Sequence, residues 1–197
     1  MKPNLYTLTF GLCACLLVPG LSGCQTSNDN SVQAAREPVP SKAPTDSVNT
    51  INGADREFII QDLKSNIQER VLGRMAEEKS QNGAVRKYGK MIAADHNNAL
   101  KKLVELMERN GIAQPRTLPE AKSDAVDKLQ GLSDNAFDQE FVNLMVQTHE
   151  KSVSAFRQEI EKAQNPEVRD YAKSMLPMLE RHLKDAQDLQ NGMGKQS

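Results

Sequence analysis

Four long blocks of helical periodicity, separated by clear turn signals, constrain this chain more than any other feature. In the first block Ile60, Leu63, Ile67, Val71 and Met75 fall on one stripe, which predicts a helix over Asp55–Lys79. The stretch SQNG (80–83) interrupts it, with Asn82-Gly83 as the turn. In the second block Val85, Gly89, Ile92, His96, Ala99, Leu103 and Leu106 alternate at spacings of four and three. Asn110-Gly111 stops that helix, and Ile112 is placed to cover its end. The third block starts near Ser133 or Asp134 and continues through Phe137, Phe141, Leu144, Met145, Ser152 and Phe156. The fourth opens at Asn165-Pro166, read as an N-cap followed by a first-turn proline. Val168, Ala172, Met175, Leu179, His182, Ala186 and Leu189 form its stripe. Pro177 lies inside this helix. It removes the hydrogen bond to the Lys173 carbonyl and is expected to kink the rod one turn before His182.

Residues 111–134 break the pattern with two prolines, a short helical patch and Gly131. Their length suits a connection that travels the whole length of a bundle. Two antiparallel hairpins joined by such a crossover predict an all-α, ferritin-like four-helix bundle over residues 54–191, with a flexible tail at 192–197. The composition agrees: Ala, Leu, Met, Glu, Lys and Gln dominate the second half, and aromatics make up only 4%. The methionines read as core filling. A formal charge of −1 gives no basic field, so no nucleic-acid partner is expected.

The first 24 residues read as an address. MKPNLYTLTFGLCACLLVPGLSGC carries one early cation, Lys2, then an apolar run too short and too Gly/Pro-broken to span a membrane, as expected of a secretory signal peptide over 1–23. Its end, LSGC, resembles the lipobox of bacterial lipoproteins. That resemblance implies that Cys24 is lipidated and becomes the first mature residue, anchoring the chain to a membrane. Gln25 in place of Asp, by resemblance to enterobacterial sorting, favours the outer membrane, with the protein facing the periplasm. Residues 24–53 are rich in Ser, Thr, Asn and Pro and are expected to be a disordered tether. The three cysteines, Cys13, Cys15 and Cys24, all precede the helical part, so no disulfide or thiolate metal site is expected there.

The chain has three histidines, and each falls within the apolar arc of its own helix. At 1.5 Å per residue, His96 lies about 20 Å from the first turn, and His149 and His182 about 25 Å from the second. With the turns at opposite ends of a bundle about 40 Å long, all three imidazoles converge near its middle. Neutral imidazoles suit a divalent transition metal, and three can form an open site. Glu69 lies at a similar height and could add a carboxylate, although it points nearly opposite the Ile60/Leu63/Ile67/Val71 stripe. Asp95 flanks His96 and could orient a histidine from another helix. The alternative is three core histidines bonded to nearby carboxylates or carbonyls, fixing helix register. Di-iron bundles use Glu-x-x-His pairs. Here Ala93, Val146 and Leu179 occupy the positions three before each histidine, which argues against ferroxidase chemistry. No Walker loop, dinucleotide fingerprint or cysteine nucleophile is present in the helical part, and no catalytic residue is assigned.

Residues 69–112, with Glu69, Gly73, Ala76, Met91 and Asp95-His96, resemble the first hairpin of a bacterial domain-of-unknown-function family with a ferritin-like fold. Residues 131–189, with Phe137-Asp138, Met145, His149, Leu176-Pro177 and His182, resemble its second hairpin. The resemblance implies the fold and an outer-membrane or periplasmic setting, but no defined activity. The expected protein is therefore a lipid-anchored periplasmic bundle that binds or maintains rather than turns over. Its alternative is a metal-binding or metal-dependent redox protein using His96, His149, His182 and Glu69. Any protein partner or small ligand is left unassigned.

Overall fold

The computed structural model describes residues 51–114 and 123–194. Within them the chain forms five helices and no strand: α1 (Gly53–Lys79), α2 (Gly83–Arg109), the short α3 (Asp124–Gln130), α4 (Asp134–Lys162) and α5 (Pro166–Gly194). The architecture is the expected all-α, ferritin-like bundle of two hairpins and a crossover. Its ends move slightly. Asn52 Oδ1 accepts from the Asp55 N–H at 2.9 Å, so α1 begins at Gly53. Ile51 packs against the core, which brings residues 51–53 out of the expected linker and into the bundle. At the other terminus α5 runs to Gly194, so residues 192–194 are helical where a tail was expected.

Capping fixes the ends of the rods. Gly111 takes φ +63°, which lets its N–H reach Glu108 O (3.2 Å) while the Ile112 N–H reaches Met107 O (2.9 Å). This closes α2 with the paired bonds of a glycine C-cap, and Ile112 is buried over them. Asn165 is buried and caps α5, its Oδ1 accepting from the N–H groups of Glu167 and Val168. Its Nδ2 donates to Asn110 Oδ1 at 2.9 Å, tying the α4–α5 turn to the end of α2. At the opposite end Lys79 Nζ donates to the carbonyls of Leu129 and Gln130, which holds α3 beside the α1–α2 turn. The crossover therefore leaves one end of the bundle and arrives at the other.

Neighbouring long helices are antiparallel. Glu69 meets His149 and Lys79 meets Phe137 between α1 and α4, while Tyr88 meets the His182 carbonyl and Arg109 meets Glu167 between α2 and α5. In the first hairpin the backbones themselves touch. A Cβ on Gly73 would lie 2.6 Å from Gly89 O and 2.7 Å from Ala93 N, so only glycine fits there.

One expectation about helix faces changes. Of the expected α1 stripe, Leu63 and Ile67 are buried, but Ile60, Val71 and Met75 are only half-buried. The inward face is the arc of Ile59, Asp62, Leu63, Asn66, Ile67, Glu69, Leu72, Gly73 and Ala76. Val71 and Met75 instead line a surface depression with Gln130 beside the crossover. Pro177 lies inside α5, as expected. The proline sits on the exposed face, where water can satisfy the Lys173 carbonyl that it leaves without a helical donor.

The apolar interior comes in two parts. One holds Ile59, Leu63, Ile67, Leu103, Leu106, Phe156, Val168 and Met175. The other holds Leu72, Ala76, Val85, Ile92, Phe137, Phe141, Met145 and Ala186. On every long helix the division falls at one level, and at that level the buried residues are polar.

Candidate metal centre

Each long helix contributes one residue to that level: Glu69 from α1, His96 from α2, His149 from α4 and His182 from α5. None is more than 2% exposed. One ring nitrogen from each histidine lies within 4.8 Å of the other two. Glu69 Oε2 is 3.1 Å from His96 Nε2 and 3.2 Å from His149 Nε2, and His149 Nε2 is 3.3 Å from His182 Nδ1. Glu69 thus faces the interior, not away from it as the apolar stripe of its helix suggested.

The outer nitrogen of each ring is anchored to an acceptor. His96 Nδ1 bonds Asn66 Oδ1 at 2.9 Å, His149 Nδ1 bonds the Met145 carbonyl at 2.9 Å, and His182 Nε2 bonds Asp95 Oδ2 at 2.9 Å. Carbonyl, amide and carboxylate oxygens only accept, so each outer nitrogen must carry a hydrogen. A neutral imidazole has one N–H, so in the neutral form of each ring the inner nitrogen is a bare lone pair. Three of the separations among these nitrogens and the carboxylate oxygen are 3.1–3.3 Å, and the histidine nitrogens all lie within 4.8 Å of one another. His96 Nε2 and Glu69 Oε2 face each other at 3.1 Å, both buried, and have no other hydrogen-bond partner. A cation, either shared protons or a metal ion, must sit among such acceptors.

The electrostatics follow. Burial pushes the Glu69 carboxyl up, but the His96 and His149 rings outweigh it and hold it at about 2. Burial opposes protonation of His96 as well, yet the Glu69 carboxylate beside it holds that ring above its usual value. His149 has its pKa lowered, chiefly by burial. His182 is driven down to about 4 by burial, against the pull of Asp95. Asp95 is itself paired with Arg181 at 2.6 Å.

Four further polar residues escaped the sequence reading. Asp62 and Asn66 precede Glu69 on the same face of α1, and Asn66 Nδ2 donates to Asp62 Oδ1 and to the Asp62 carbonyl, both at 2.8 Å. Tyr171 of α5 donates its hydroxyl to Asp62 Oδ2 at 2.5 Å. Ser65 donates to Glu69 Oε1 at 2.9 Å. The available signal was the 62/66/69 spacing of polar residues, which a search for apolar stripes passes over. Cys24, the leader and residues 115–122 of the crossover lie outside the described residues.

Fold and centre together define a class: an all-α bundle with a buried histidine–carboxylate cluster at mid-height. The chain belongs to the family described as Domain of unknown function (DUF4142), whose model matches residues 40–189. Similar solved structures include a DUF305 fragment from Deinococcus radiodurans, with a TM-score of 0.61 and 19% identity over 74% of this chain and 99% of that one. A candidate spore coat protein from Bacillus halodurans C-125 gives 0.59 and 11%, over 74% and 91%. A candidate secreted protein, DUF305, from Streptomyces coelicolor gives 0.58 and 15%, over 71% and 92%. At these identities the likeness concerns the fold. No curated protein matches the chain.

Proposed function

We propose that this is an envelope protein whose bundle binds one divalent transition-metal ion through Glu69, His96, His149 and His182. The observation that carries the reading is the set of converging bare acceptors, each histidine being held from behind by its outer nitrogen. Three nitrogens and one oxygen, with no sulfur donor, suit Zn²⁺ among the common ions. Zinc bonds of about 2.0–2.1 Å place ligand atoms about 3.4 Å apart in a tetrahedron; three separations in the cluster are already 3.1–3.3 Å, and the histidine nitrogens lie within 4.8 Å of one another. Four protein donors fill a tetrahedral ion and leave no open position for substrate. The ion is therefore held rather than used for turnover, which fits a binding or envelope-maintenance role. A ligand that binds the native state stabilises it by mass action, by about 2.7 kcal/mol at one hundred times its Kd. Zinc added to chelator-treated full-length protein should raise its thermal midpoint. No shift with Zn²⁺, Cu²⁺ or Fe²⁺ would contradict the reading.

The location belongs to the same proposal. LSGC before residue 25 and the polar linker support lipid anchoring at Cys24, in the outer membrane facing the periplasm. Cys24→Ser is expected to move the chain from the membrane fraction to the soluble fraction. Unchanged fractionation would argue against the anchor.

A further inference from the structure

We infer that Asp62 and Tyr171 form a tautomer lock that, acting through Asn66, keeps His96 ready to bind the ion. The inference rests on the metal reading above and adds residues that touch no ligand atom. The amide of Asn66 has two hydrogens, and both are committed: one to Asp62 Oδ1, one to the Asp62 carbonyl. Only its oxygen is left to turn toward His96 Nδ1. That oxygen forces the hydrogen onto Nδ1 and leaves Nε2 bare, facing Glu69. Flipping the amide would set its oxygen against two acceptors of Asp62 and its NH₂ against His96. His96 would then have to carry its hydrogen on Nε2, where it could not ligate.

Asp62 holds this arrangement only while it remains an acceptor toward Asn66, and Tyr171 secures that by spending its single hydrogen on Oδ2. The lock spans α1, α2 and α5, so it also ties the tautomer to the packing of the bundle. Asp62 and Tyr171 are thus positioning residues, acting on the ion only through Asn66 and His96.

Asp62→Asn makes the acceptor ambiguous, because either end of the new amide can face Asn66. Tyr171→Phe removes the hydroxyl and keeps the ring. In the untagged full-length chain, zinc affinity measured by competition with a chromophoric chelator should fall by about 10- to 100-fold in each variant. Nitrogen NMR shifts of His96 in the zinc-titrated protein should lose the metal-bound Nε2 signature, while His149 and His182 keep theirs. If Asp62→Asn does not fold, Tyr171→Phe alone carries the test. Wild-type affinity and wild-type His96 shifts in Tyr171→Phe would overturn the lock and leave the metal reading standing. A wild-type chain that binds no zinc would overturn both.

Discussion

Burial alone would push the Glu69 carboxyl up, yet the neighbouring imidazoles hold it at about 2, and it in turn raises His96. The pair gives the protein without metal a pH dependence of definite sign. The contribution from His96 is fully present below its ordinary pKa of about 6.5 and is lost as the pH rises through the higher folded value. That from Glu69 is present above its ordinary range and is lost only as the pH falls toward about 2. At pH 6 both are in force. With chelator present, Glu69→Gln should therefore lose on the order of 1–3 kcal/mol at pH 6. The gap should narrow by pH 9, as His96 becomes neutral in the wild type. Urea denaturation at the two pH values checks this, and a gap that does not change with pH would refute the pairing.

Between α1 and α2 the element-scale constraint is steric. Gly73 lies one turn from Glu69 and Gly89 less than two turns from His96, so backbone contact sets the spacing of these two side chains. Gly73→Ala adds helix propensity worth about 1 kcal/mol, but its Cβ meets backbone atoms, which cannot give way as side chains do. Overpacking of this kind costs about 1–3 kcal/mol, so a net loss of stability in urea denaturation is expected. Stabilisation would mean that the helices part easily. The same region shows what the sequence could convey. Helix α2 buries every residue of its four/three repeat and α5 all of its repeat but the half-buried Leu189, because their inward stripes are largely apolar around one histidine each. The inward stripe of α1 carries Asp62, Asn66 and Glu69, so its apolar residues point partly elsewhere, and the predicted face was misplaced. The three histidines and Asp95 were legible because heights along a helix follow from residue counts. The Asn66–Asp62–Tyr171 chain was not, since it depends on side-chain pairing between helices α1, α2 and α5.

At the scale of the molecule, the polar level divides the apolar core in two and, among the described residues, is the one place where all four long helices present buried polar groups to one another. A single ion there would bond to every long helix at once, joining two hairpins that otherwise meet through side-chain packing and a crossover. Such an ion offsets the burial of four polar groups that protons alone satisfy poorly. The presence of the ion is directly measurable. Elemental analysis of the full-length chain, purified without a histidine tag and without added chelator, should find close to one equivalent of a transition metal, with zinc as the expected element. It should find far less in a Glu69→Gln, His149→Ala double variant. A wild-type protein that is folded, carries no metal and takes up none on dialysis against zinc would contradict the account. The cluster would then be a proton-sharing network that fixes helix register.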